Sequence, residues 1–264
     1  MVRGLDLFQH HFADYMDHYV LIGGSACSLA FDAANVEFRA TKDLDLVLTL
    51  EVLNDDFAKR LWQFVQEGQY STYQRSKDKD AFYRFHSPAD RRFPHMLELF
   101  ARNPGFELAD GSHLTPITWE QVDDADAKSL SAILMNDAYY KLIHDNKIVQ
   151  NGVMTVGALH LVPLKARAWL DMIDRRDSGI HVDDKELKKH RNDIIRLHGI
   201  LDAQMRVELE NSIKADMINV LNRLPGEDIE PKHLGSQRPL EVIVADLRSI
   251  YPGQNESLMI VFLQ

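Results

Sequence analysis

Two aspartates one residue apart, Asp43 and Asp45, sit inside the otherwise apolar run DLDLVL. Side chains on a strand alternate between faces, so both carboxylates point the same way. The flanking Leu44, Leu46, Val47 and Leu48 predict a buried central strand, where two unpaired acids are costly. Hard cations bridging to a phosphate would compensate that charge. Just upstream, the apolar run Tyr19 to Ile22 ends in Gly23, Gly24 and Ser25 and leads into a predicted helix. Glycines let the backbone approach a phosphate closely, and the N–H groups at a helix start can hold it. Ser25 is the expected N-cap and can add its hydroxyl to a phosphate.

The rest of the chain is compatible with such a site. At 264 residues and 45% hydrophobic content it can build a sizeable core. No apolar run approaches the ~20 residues that span a bilayer, and the N-terminal stretch lacks the apolar core of a signal peptide. A single cysteine, Cys27, rules out an intrachain disulfide and fits a reducing compartment, so a cytoplasmic location is expected. Its small neighbours predict a buried thiol. The formal net charge of −10 gives no general pull toward nucleic acid. A small nucleotide or a protein is therefore as good a substrate as a polynucleotide.

Periodicity predicts a first, mixed part over residues 1–125 and a mainly helical part over 126–264. The first holds an amphipathic helix from Leu5 to His18, a strand from Tyr19 to Ile22 and a helix from Ser25 to Ala34. It continues with a strand from Leu44 to Leu50, a helix from Leu53 to Gly68, and a hairpin pairing Ala81–His86 with His95–Phe100. Thr115 to Val122 reads as a strand end running into a short helix. The second part holds helices over Ala127–Asn146, Val162–Asp174, Asp184–Leu201, Ala203–Leu221 and Leu240–Ile250. Pro163 suits the first turn of its helix. The apolar tail Leu258 to Leu263 reads as a buried strand or a docked segment.

A two-metal site needs a third carboxylate on a neighbouring strand. Glu98, flanked by Met96, Leu97, Leu99 and Phe100, is the best candidate, ahead of Asp90 and Glu107 in turn-like sequence. Arg39 and Lys42 precede the aspartates and either contact phosphate or balance the acids. Lys165 and Arg167 lie on an otherwise apolar helix, where a lysine could reach a triphosphate. Lys188, Lys189, Arg191 and Asp193 fall in the helix KELKKHRNDIIRL. Asp193, at the edge of an apolar run, could orient a basic residue or a substrate hydroxyl. His10, His11 and His18 read as surface residues of the first helix, and no histidine pair has metal-ligand spacing. There is no GxxxxGK[ST] loop and no GxGxxG after a strand.

The block IGGSACSLAF…FRATKDLDLVL resembles the polymerase-β-type nucleotidyltransferase superfamily. Within it, the block looks most like bacterial nucleotidyltransferases related to abortive-infection AbiE-type toxins. The matching positions are Gly23, Gly24, Ser25 and Ala26, then Arg39, Thr41, Asp43, Leu44 and Asp45, about thirty residues in all. Weaker similarity runs through Lys165 and Arg167 to Lys189–Asp193, which could match the family's helical Lys motif and Lys/Arg-Asp motif. The segment between Ser25 and Asp43 is longer than in minimal members, and KHRND departs from the tighter Arg-x-x-Asp form. The resemblance implies an α+β fold: a nucleotidyltransferase core with a mixed sheet and flanking helices, then a mainly helical C-terminal domain. It also implies Mg²⁺ or Mn²⁺ held by Asp43 and Asp45; Glu98, placed by the strand pattern, is the expected third metal ligand or, alternatively, the base. An NTP would be gripped by Gly23, Gly24, Ser25, Lys42, Lys165, Lys189 and Asp193. The acceptor stays open between a tRNA, a protein side chain and a small molecule. A toxin role with an antitoxin partner or a homo-oligomer is one extension. The alternative is a non-catalytic nucleotide-binding or interaction module on the same fold.

Overall fold

A computed structural model describes residues 2–49, 55–72, 84–100, 106–107, 113–114, 134 and 136–253 of the chain. It is an α+β protein whose chain divides into two compact units. One comprises Met1–Asp123 with Ile143–Gly157, the other Asp124–Leu142 with Ala158–Gln264. A single cut after residue 125 is therefore not how the chain divides, because residues 143–157 belong to the first unit.

The first unit is built on a seven-stranded mixed sheet. Its strands are β1 (Tyr19–Ile22), β2 (Asp43–Leu48), β3 (Ser71–Thr72), β4 (Arg84–His86), β5 (Met96–Phe100), β8 (Lys147–Gln150) and β9 (Val153–Val156). A separate short ribbon pairs β6 (Phe106–Glu107) with β7 (His113–Leu114). The order across the large sheet is β3-β4-β5-β2-β1-β9-β8. β2 lies antiparallel to β1 and parallel to β5. β1 is fully buried along its length, as its YVLI sequence suggests. The expected β4–β5 hairpin is present, with Arg84 opposite Glu98; its predicted first residues, 81–83, lie outside the described residues.

Helix α1 (Leu5–His11) packs Phe8 into an aromatic cluster with Phe12, Tyr19, Phe57 and Phe64. The single helix expected from Leu5 to His18 breaks at Phe12 (φ −112°, ψ 19°) and tightens into a 3₁₀ turn, Ala13–His18. No residue of that turn is buried, so the apolar stripe ends at Phe12. His11 and His18 are not simple surface residues. His11 sets its ring edge against Phe64 at 5.0 Å, and His18 stacks on Phe57 at 5.2 Å. Helix α2 (Gly23–Ala33) buries Ala26, Cys27, Leu29 and Phe31, and α3 (Asp55–Glu67) buries Phe57, Leu61, Phe64 and Val65.

The sequence reading missed the β8–β9 hairpin. Its two-residue turn is Asn151-Gly152, with φ of +47° and +70°, the left-handed pair that a type I′ turn requires. β9 then pairs in parallel with β1, and the Thr155 hydroxyl donates to the Leu21 carbonyl at 2.9 Å.

The second unit is helical where described: α5 (Ala158–Asp177), α6 (Asp184–His198), α7 (Asn211–Arg223) and α8 (Leu240–Ile250). The preceding helix, α4 (Asp137–Asp145), contains the division between the units. Residues 127–133 and 135 of the helix expected over Ala127–Asn146, and the tail after Gly253, lie outside the described residues. α6 opens on Asp183, whose carboxylate accepts from the Lys185 N–H at 2.8 Å. The helix expected from Ala203 starts only at Asn211, since Asp202 folds the chain into a side-chain turn on the Gln204 N–H.

Pro163 stands six residues into α5 rather than in its first turn. Proline has no N–H, so the Leu159 carbonyl loses its helical partner. The Tyr251 hydroxyl donates to that carbonyl instead, at 2.7 Å. Among the described residues, no helix is long and apolar enough to cross a membrane.

Candidate active site

Strand register assembles the acids. Asp45 lies beside Glu98 on parallel β2 and β5, Glu98 faces Arg84 across β4–β5, and Ile22 flanks Asp45 on β1. In-register neighbours share a sheet face, so Arg84, Glu98, Asp45 and Asp43 stand on one side. Leu44 and Leu46 are buried on the other. Asp43 and Asp45 are half-buried.

The glycine turn meets the acids directly. Gly23 follows β1 with φ of +71°, and a Cβ there would sit 1.8 Å from Asp45 Oδ2. Only glycine leaves room for the carboxylate in that conformation. α2 starts at Gly23 without a side-chain cap, so its first N–H groups begin beside Asp45. An acid there is favoured by the helix dipole. A Cβ on Gly24 would lie 3.0 Å from Thr41 Oγ1 and 3.5 Å from an Arg39 guanidinium nitrogen. Three of the residues that carry the family resemblance thus meet in space.

Ser25 does not cap the helix. It is fully buried in the first turn of α2, and its hydroxyl donates to the Asp43 carbonyl. A hydroxyl has one hydrogen to donate, so in this arrangement Ser25 ties α2 to β2 and offers no donor to a phosphate. Lys42 is exposed, and its carbonyl accepts the His95 N–H at 3.0 Å.

His95 escaped the sequence reading. Its Nδ1 lies 3.5 Å from Asp43 Oδ1, an ion-pair distance. Both atoms are buried without a hydrogen-bond partner. The only local signal is its place directly before β5, which pairs with β2.

Glu98 is where the sequence reading put it, on the acidic face beside Asp45, but it is not open. It is 3% exposed, and the Arg84 Nε donates to its Oε1 at 2.6 Å. A second guanidinium nitrogen of Arg84 contacts the same oxygen. Burial, and then the neighbouring Asp45 carboxylate, push Glu98 well above the usual carboxylate range, against the opposing pull of Arg84. Arg84 supplies part of the positive charge that the paired acids demand.

Among the described residues, no group of three or more His, Cys, Asp or Glu side chains is arranged to hold a metal ion. The pair Asp43 and Asp45 nonetheless fits a hard cation. Both offer carboxylate oxygens on one face, and Asp43 Oδ1 is a buried acceptor without a hydrogen bond. Mg²⁺ is commonly held by one or two carboxylates with phosphate and water completing the shell.

The remaining candidates lie in the helical unit, most of them in ion pairs of their own. Lys165 Nζ is buried 3.6 Å from Asp193 Oδ2, and Arg196 reaches Asp193 Oδ1 at 3.3 Å. Asp193 is thus flanked by two basic side chains. Lys189 pairs with Glu186 at 2.5 Å, and Arg191 with Glu227 and the Asp228 carbonyl. Arg167 pairs with Asp216 at 3.4 Å. Lys188 is exposed. The basic run of α6 therefore offers less charge to a polyanion than its sequence suggests.

No protein-family model matches the chain, and no curated protein does. Among solved structures, an antigenic nucleotidyltransferase-like protein from Paracoccidioides brasiliensis is similar, with a TM-score of 0.46 and 13% identity. That match covers 93% of this chain and 94% of the other.

Proposed function

We propose that this chain is a nucleotidyltransferase that moves a nucleoside monophosphate from an NTP to an acceptor hydroxyl or phosphate, using Mg²⁺ or Mn²⁺. One observation carries the reading. Asp43 and Asp45 share a sheet face, and the Asp45 carboxylate lies against Gly23 at the uncapped start of α2. Asp43 and Asp45 would hold the cation. A bound divalent ion supplies two things: a more acidic attacking hydroxyl and charge neutralisation on the leaving pyrophosphate. The N–H groups of Gly23 and Gly24 are suited to orient the phosphates. Positioning of the reacting groups accounts for much of the rate.

The acceptor is an RNA, a protein or a small molecule, and the paired state of Lys189, Arg191 and Arg196 gives no support to an RNA-binding wall. A toxin role with an antitoxin partner follows from the family resemblance alone. A second reading, nucleotide binding without turnover, draws on the engagement of Glu98 by Arg84 and of Lys165 by Asp193.

Pyrophosphate release from each of the four NTPs, with Mg²⁺ and with or without total tRNA, tests the proposal. The expected result is release by the wild type that drops roughly a hundredfold or more in Asp45→Asn, with the melting curve preserved. NTP binding without release in any mixture would favour the second reading.

A further inference from the structure

We infer that Arg84 and Glu98 form a fixed ion pair standing in place of a third metal ligand, so that the cation site is the two-acid pair Asp43 and Asp45, completed by nucleotide phosphate. The inference rests on the nucleotidyl-transfer reading.

Three observations carry it. First, the pairing is built into the sheet: Arg84 and Glu98 are directly opposed on β4 and β5, the two strands of one hairpin. Second, the pair is buried. Glu98 is 3% exposed and receives the Arg84 Nε at 2.6 Å. Pulling the guanidinium away would leave a buried carboxylate without its cation, which is strongly unfavourable. Third, Asp43 and Asp45 are the half-exposed members of the row, and Asp43 Oδ1 has no hydrogen bond. No third acid, histidine or cysteine joins them in a metal-holding arrangement among the described residues.

The pair has consequences for the cation. Two protein carboxylates alone bind a divalent ion weakly, so nucleotide phosphates must supply the remaining donors. Cation and nucleotide should then bind together, each raising the affinity for the other.

Mn²⁺ binding to the protein, read from the enhancement of water-proton relaxation above that of the free Mn²⁺ chelate of an α,β-methylene NTP analogue, tests this without turnover. The key variant is the double substitution Arg84→Gln/Glu98→Gln. It is expected to bind Mn²⁺ within about threefold of the wild type, because neither side chain donates an oxygen to the cation. Arg84→Gln alone removes a positive charge and should tighten Mn²⁺ binding by roughly three- to tenfold. A second double variant, Arg84→Met/Glu98→Leu, replaces the buried pair by apolar side chains, an exchange that is often tolerated; the same near-wild-type affinity is expected. If either folded double variant loses Mn²⁺ as completely as Asp45→Asn, Glu98 is a ligand and the inference falls while the nucleotidyl-transfer reading stands. If the wild type binds no Mn²⁺ with the analogue, or Asp45→Asn binds it equally well, the reading itself falls, and the inference with it.

Discussion

The Asp45 carboxylate lies over the α-carbon of Gly23, so close that a Cβ there would sit 1.8 Å from Oδ2. Gly23→Ala therefore meets two penalties. The left-handed φ of +71° costs a side-chain-bearing residue about 1–2 kcal/mol, and the methyl group displaces the carboxylate. Urea denaturation should show the first, and a fall in divalent-dependent turnover the second. Asp45→Ala in the same chain should relieve the contact but not the φ strain, so the double variant recovers part of the stability and none of the turnover.

Asp193 and Lys165 make a buried pair whose two halves are not equivalent. Asp193→Ala leaves the Lys165 ammonium buried without its carboxylate, a change worth about 3–5 kcal/mol. Lys165→Met should cost less, because Arg196 remains 3.3 Å from Asp193. Chemical denaturation of both variants checks the order. If Lys165 served chiefly as a phosphate ligand, Lys165→Met would instead weaken NTP binding and leave stability unchanged.

Tyr251 and Pro163 are coupled through the carbonyl of Leu159. Tyr251→Phe should cost about 1 kcal/mol by taking the donor from that half-buried carbonyl. In a Pro163→Ala background the restored N–H can take over, and the same Tyr251→Phe change should cost markedly less. A double-mutant cycle by denaturation measures the difference.

His11 and His18 face the aromatic cluster, and burial lowers both below the ordinary value of 6.5. A histidine with a depressed folded pKa stays neutral in the fold while the unfolded chain takes up a proton. Its contribution to stability is therefore fully present above pH 6.5 and is lost as pH falls through the folded pKa. The urea midpoint should fall as pH drops below about 6.5, and His18→Gln should flatten part of that dependence. Ring-proton titration by NMR would reveal a conflict directly, if either histidine titrated at or above 6.5.

Much of the acidic row was legible because strand chemistry is local. Alternation placed Asp43 and Asp45 on one face, and an acid among Met96, Leu97, Leu99 and Phe100 singled out Glu98. Arg84 was not legible as its partner, since the long connection over residues 87–95, with Pro88 and Pro94, does not fix a hairpin register. The same holds for His95, which reaches Asp43 only through the parallel pairing of β5 with β2. Ser25 misled because the left-handed Gly23 starts the helix two residues early and turns its hydroxyl inward. Asn151-Gly152 between KIVQ and VMTV was a readable hairpin signal.

The parallel pairing of β9 with β1 also dictates an order of events during synthesis. Leu21 emerges from the ribosome 134 residues before Thr155, whose hydroxyl closes the carbonyl on that side of β1. Until then a fully buried strand of the sheet has one unfilled edge. Contacts of such sequence separation form slowly, and an open strand edge is a site of mispairing. A nascent chain halted near residue 125 would thus be a target for chaperones rather than an independently folding half.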